Sequence, residues 1–217
     1  MRIALIHALK HSIAPIEDAF ARLWPTARLA NLLDDSLSAD LARDGALTPA
    51  MTERFLALAR YARASGADGV LFTCSAFGPC IEACAREFSP LPVLKPNEAM
   101  IEDALELVGA HGRLGLLATF APTLESMPAE FAAAAPGVTV VARLAEGALA
   151  ALDRGDAAAH DRAAVDVAMA LRNCDVIALA QFSLARAARG IAAATGRRVL
   201  TTPDSAVRKL RRLLGEA

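Results

Sequence analysis

ADGVLFTCSAF, residues 67–77, and CDVIALAQFSL, residues 174–184, decide the fold of this 217-residue chain. Each is a short apolar run that breaks at a polar residue and then resumes, the pattern of a buried strand running into a turn and a helix. Their likeness marks an internal repeat, and the repeat extends on both sides. RIALIH (2–7) resembles RLGLLA (113–118), and LPVLKPNEAMIEDAL from Leu91 resembles RRVLTTPDSAVRKL from Arg197. The members of the last pair each read as a strand followed by a proline-marked helix start. Three matches in one order, each offset by roughly a hundred residues, describe two similar halves and not the short period of a solenoid.

Further apolar runs, ARLANLL and VTVVARL, complete the series, and helix-period segments separate them. This alternation is the signature of a mostly parallel sheet with helices on its faces. Met51, Phe55, Leu58 and Ala62 share one helical face, as do Ile101, Ala104, Leu105 and Val108, and later Val207, Leu210 and Leu214; these stripes read as core. The expected fold is α/β, with two pseudo-symmetric lobes, each a mostly parallel sheet flanked by helices. Residues 1–96 plus 204–217 form the first lobe and 97–203 the second. Ligands of open α/β sheets bind outside the carboxyl ends of the strands, so a small-molecule cleft between the lobes is expected. Cys74 and Gln181 take corresponding positions across it.

Composition narrows the function classes. Hydrophobic residues make up 55% of the chain, enough for a substantial core, and 23 Lys and Arg nearly cancel 24 Asp and Glu. A near-neutral chain gives no reason to expect a nucleic acid or an anionic membrane as partner. The start, MRIALIHALKHS, reads as a strand meeting polar residues, too brief for a signal peptide, and no apolar run reaches membrane-spanning length. Cys74, Cys80, Cys84 and Cys174 lack paired CxxC spacing, which points to reduced thiols and a cytoplasmic location. No GxGxxG follows the first strand, and neither GxxxxGK[ST] nor GxSxG occurs, so nucleotide-cofactor chemistry has little support.

Cys74 is the residue best placed for chemistry. It ends the GVLFT strand and opens the turn into a helix starting near Pro79, where unpaired N–H groups favour negative charge. That setting lowers a thiol's pKa and suits a substrate carboxylate. Ser75 and Ala76 follow as donors to an anionic oxygen, although Ser75 reads equally as a helix cap. Thr119, after the second half's first strand, reads either as a carboxylate ligand or as a turn residue. His7, at the equivalent place in the first half, reads either as a proton shuttle or as a histidine that merely ends a strand. Cys80 and Cys84 fall on one apolar stripe with Phe77, Ile81 and Phe88, and read as core. Cys174 precedes its strand and takes no role. His11, His111 and His160 lie in segments read as loops or exposed helix, without a metal cluster. The acidic stretch DDSLSAD (34–40) reads as a solvated loop with capping residues.

These segments resemble the aspartate/glutamate racemase superfamily, which includes hydantoin and aspartate racemases, maleate isomerase and arylmalonate decarboxylase. The resemblance spans nearly the whole chain through GADGVLFTCSAFG, PVLKPNEAMIEDAL, RLGLLATFAPT and NCDVIALAQFSLA. It implies two pseudo-symmetric lobes, no metal or organic cofactor, a small carboxylate substrate and a homo-oligomer. It also implies a cysteine from each lobe on opposite faces of the substrate, one removing the α-proton and one returning it. Cys74 matches the first cysteine, Ser75 and Ala76 the adjoining anion-binding turn, and Thr119 the threonine after the second lobe's first strand. Gln181 replaces the second cysteine, and Phe182 and Ser183 follow where a threonine and a histidine are common. A glutamine does not ionise in the working pH range, so the two-thiol machinery is incomplete. The resemblance therefore implies an isomerase-like enzyme using a single cysteine, Cys74, either with His7 as the second acid or base or with Cys74 adding covalently to an unsaturated acid. The alternatives are a decarboxylase of a malonate-type acid and a carboxylate-binding protein without turnover.

Overall fold

The computed structural model describes residues 1–216. The chain divides into two units, Met1–Glu98 with the segment from Ala206 onward, and Ala99–Ser205. In the first, β1 (Arg2–His7), α1 (Ile13–Leu23), β2 (Arg28–Leu33), α2 (Ser36–Asp44), α3 (Pro49–Ala64), β3 (Gly69–Phe72), α4 (Gly78–Phe88) and β4 (Val93–Leu94) follow in turn. Its four strands lie in the order β2-β1-β3-β4, and every pairing is parallel. After α5 (Glu98–Val108), the second unit runs β5 (Arg113–Ala118), α6 (Thr123–Ala134), β6 (Thr139–Leu144), α7 (Ala148–Asp153), α8 (Ala157–Ala168), β7 (Val176–Leu179), α9 (Ala188–Thr195) and β8 (Arg198–Thr201). Its sheet repeats the pattern as β6-β5-β7-β8, again all parallel, and α10 (Thr202–Leu213) closes the chain. All eight apolar runs of the sequence are strands.

Burial explains which run takes which place. β1, β3, β5 and β7 are almost entirely buried, as continuous apolar strands covered on both faces must be. The edge strands β2 and β6 carry half-exposed side chains. The repeat reaches down to single hydrogen bonds: the Asp68 carboxylate accepts the Arg2 backbone N–H at 2.7 Å, and Asp175 accepts that of Arg113 at 2.7 Å. Each aspartate ties the central strand's start to the loop entering its neighbour.

Local chemistry sets the helix starts. Thr48 caps α3 through the Met51 N–H with Pro49 in the first turn, and Asp156 caps α8 through the Ala159 N–H. On one face of the first sheet Phe55 lies against Phe72 and Phe77, with ring centroids 5.2 and 4.9 Å apart. In the second unit Gly115 permits a close approach, since a Cβ there would lie 3.1 Å from the Leu171 Cβ and 3.4 Å from the Cys174 sulfur.

Two local expectations are corrected. His160 lies on α8 and is fully buried, because its Nδ1 bonds the Asp161 carboxylate at 2.8 Å and Asp161 in turn takes the Arg186 guanidinium at 2.7 Å. The 34–40 stretch is not a solvated loop. Helix α2 begins at Ser36, and Asp34 and Asp40 both grip Arg54 of α3 at 2.5 Å.

Candidate active site

Cys74 stands two residues past β3, with extended backbone (φ −127°, ψ 119°), immediately before a short 3-10 turn of Ser75–Phe77 that runs into α4. The strand delivers the residue to the sheet's carboxyl edge, and the turn re-aims the chain. Gln181 stands two residues past β7 with nearly the same backbone (φ −125°, ψ 150°), before a 3-10 turn of Phe182–Ala187. The two residues occupy equivalent stations in their own units, as the repeat requires.

Their side chains are used in opposite ways. Cys74 is half-buried and lines a crevice with His7, Leu37, Phe55 and Phe72 that is too narrow to admit water. Burial pushes its thiol up from 9.0 to about 11, while the Ala76 amide pulls weakly the other way. The expectation of a lowered pKa is therefore corrected: loss of hydration in an apolar crevice outweighs what the turn supplies. Gln181 is bonded at both ends of its carboxamide. Its Oε1 accepts from the Thr119 backbone N–H at 2.8 Å and faces the Thr119 hydroxyl at 3.4 Å, and its Nε2 donates to the Thr123 hydroxyl at 2.8 Å. It thus ties the end of β5 and the start of α6 to the turn after β7.

The other candidates fall into place around these two. Ser75 and Ala76 are half-buried in the turn after Cys74. Thr119 and Phe182 are buried beside Gln181's station, and Phe120 next to Thr119 is exposed. By strand register His7 corresponds to Ala118, not to Thr119, whose counterpart is Ala8; the equivalence expected from sequence is off by one residue. His7 is fully buried, with Nδ1 2.9 Å from the Thr73 hydroxyl and Nε2 2.9 Å from Asn31 Oδ1. Burial holds its pKa below 6.5, against the Asn31 bond and the field of Glu17. Cys80, Cys84 and Cys174 are buried, and burial pushes Cys84 up to about 12.

Thr73, Asn31, Glu17 and Thr123 had no part in the sequence reading. Thr123 was legible only as a helix-start threonine, and Asn31 as a polar residue in an edge strand. Nothing in the linear sequence joins Asn31 to His7. Among the described residues no three His, Cys, Asp or Glu side chains gather in a metal-holding group, and no helix is long and apolar enough to cross a membrane.

Comparison with known proteins bears on what this arrangement serves. The family model for Asp/Glu/hydantoin racemases matches residues 16–210. Among solved structures, the allantoin racemase of Klebsiella pneumoniae superposes with a TM-score of 0.75 at 18% identity, over 99% of this chain and 88% of that one. Glutamate racemase from Francisella tularensis subsp. tularensis SCHU S4, in complex with D-glutamate, gives 0.73 at 14% identity over 99% and 81%. A glycine-to-cysteine mutant of arylmalonate decarboxylase gives 0.67 at 22% identity over 99% and 94%. At these identities the likeness establishes the fold. No curated protein matches the chain in sequence.

Proposed function

Because the chain belongs to the Asp/Glu/hydantoin racemase family, we propose that it is an isomerase-type enzyme acting at the carbon α to the carboxylate of a small acid or amino-acid derivative, with Cys74 as its single proton-transferring side chain. The observation that carries this reading is the contrast at equivalent stations. Cys74 presents an ionisable sulfur, whereas the Gln181 carboxamide does not ionise and is bonded to Thr119 and Thr123. In the forward step the sulfur, as thiolate, takes the α-proton, and the C–H electron pair remains on carbon, delocalised into the carboxylate. The planar carbanion then turns its other face to the sulfur, and the resulting thiol returns that proton, or one exchanged with water, to that face, which inverts the carbon; return to the original face gives exchange without inversion. Backbone and hydroxyl donors at the strand ends, Ser75 and Ala76 among them, suit the developing oxyanion.

One observation favours a second reading. A thiol raised to about 11 is mostly protonated at neutral pH and is better prepared to give a proton than to take one. Decarboxylation of a malonate-type acid asks only for that: the C–C bond to the departing carboxylate breaks, its pair stays on the α-carbon, carbon dioxide leaves, and the thiol protonates the carbanion. The resulting thiolate is reprotonated by water.

The test is a panel of single-enantiomer amino acids, hydantoins and substituted malonates followed by NMR with wild type and Cys74→Ser. Cys74-dependent loss of enantiomeric purity identifies the isomerase, and Cys74-dependent release of carbon dioxide the decarboxylase. Thermal stabilisation by panel acids with no reaction in either protein would overturn both in favour of a carboxylate-binding protein.

A further inference from the structure

His7 joins the carboxyl ends of three strands. It sits at the end of β1; Asn31, bonded to its Nε2, is on β2; Thr73, bonded to its Nδ1, follows β3 and directly precedes Cys74. Behind Asn31 stands Glu17 of α1, whose carboxylate accepts the Asn31 Nδ2–H at 2.7 Å.

The direction of every bond in this chain follows from its outer end. A carboxylate only accepts, so Asn31 turns its NH2 to Glu17 and its carbonyl oxygen to His7. Nε2 of His7 must therefore carry a hydrogen. The buried ring is neutral at pH 7, which leaves a lone pair on Nδ1, and the Thr73 hydroxyl must donate to it. The Thr73 backbone N–H donates to Ile6 O at 3.0 Å, and the hydroxyl lies a longer 3.5 Å from the same oxygen, so the amide and the hydroxyl of Thr73 are both held at β1. His7 and Cys74 line the same narrow crevice, and both ring nitrogens of His7 are engaged by Thr73 and Asn31.

We infer that His7 is a positioning residue: by accepting the Thr73 hydroxyl it fixes the strand end from which Cys74 projects, and Glu17, through Asn31, fixes the tautomer that makes this bond available. The inference rests on Cys74 as the reacting group, and it assigns His7 no proton transfer to substrate. The second unit reaches the same end differently. There Ala118 stands at the place of His7, and Gln181 itself ties the strand ends together.

Two measurements on the intact chain test this without a substrate. In two-bond 1H–15N spectra, His7 is expected as the neutral Nε2–H tautomer at pH 7. Glu17→Gln, a change at an exposed residue, is expected to admit the Nδ1–H tautomer, because a glutamine lets Asn31 turn over. With iodoacetamide at pH 8, Thr73→Val and His7→Gln are expected to speed Cys74 modification at least about fivefold, as the loosened turn lets water reach the sulfur and its pKa falls. A wild-type Nδ1–H tautomer or imidazolium, or unchanged Cys74 modification in folded Thr73→Val, would overturn the inference. If no panel acid reacts, the proposed function falls while these two readouts still decide the role of His7. If one does, Glu17→Gln is expected to lower kcat and leave KM. A pH–rate limb lost in His7→Gln but kept in Glu17→Gln would make the histidine the acid or base itself and overturn the positioning role.

Discussion

The Gln181 Oε1 lies 2.8 Å from the Thr119 backbone nitrogen and takes the N–H at the very end of β5, a donor that an anionic ligand of that strand end would otherwise find free. The same carboxamide donates to Thr123 at 2.8 Å. A side chain at this station therefore holds the loops together, and its removal leaves a buried N–H and a buried hydroxyl without their partner. Gln181→Ala is expected to lower stability by about 1–3 kcal/mol, read from urea unfolding. Gln181→Glu, which keeps the acceptor but brings a charge and loses the donor to Thr123, is expected to be less stable at pH 8 than at pH 5.

Cys74 modification should report the raised thiol pKa directly. With the pKa near 11 the thiolate fraction at neutral pH is small, and the alkylation rate climbs about tenfold per pH unit from pH 7 to 10. Mass spectrometry of iodoacetamide-treated protein gives the rate. A plateau reached by pH 8 would mean an activated thiol and contradict burial as the dominant influence.

The buried neutral His7 links stability to pH on the acid side of neutrality. Its folded pKa lies below 6.5, so the unfolded chain binds the more protons between the two values. Stability from this group is complete above pH 6.5 and declines as pH falls toward the folded pKa. The decline in urea midpoint over that interval is expected to be shallower in His7→Gln.

A separate window belongs to the carboxylates around Arg54. Although partial burial works against it, hydrogen bonds from Ser36 and Arg54 hold Asp34 below the usual carboxylate range, and Arg54 and Arg43 do the same for Asp40. Depressed carboxylate values stabilise the fold above about pH 4 and lose their effect as pH falls through the folded values. Arg54→Met is expected to lower the urea midpoint at pH 7 and to make its fall below pH 4 less steep. Because these groups are partly exposed, 0.5 M salt is expected to narrow the difference between the two proteins.

Much of the fold was legible because it is written in short-range pattern. The eight apolar runs and the repeat linking Cys74 to Gln181 follow from local hydrophobicity and order. Two kinds of feature were not. His160 looked exposed because helix periodicity does not reveal that a buried imidazole has an aspartate beside it and, behind that, Arg186 from the 3-10 turn after β7. The Cys74 thiol looked activated because a turn before a helix is visible in sequence, whereas the crevice with Leu37, Phe55 and Phe72 that strips its water is assembled from distant segments. The off-by-one pairing of His7 with Thr119 has a plainer cause: the two strands match over RIALIH and RLGLLA, so Thr119 falls one residue beyond the match.

The most direct test of a single-thiol enzyme is deuterium incorporation at the α-carbon, measured in deuterated buffer on single-enantiomer substrates with wild type and Cys74→Ser. The expected result is deuterium at the α-carbon of reacted molecules with wild type, and none above the uncatalysed background with Cys74→Ser at an unchanged melting temperature. Equal incorporation by the two proteins would contradict the assignment of proton transfer to Cys74.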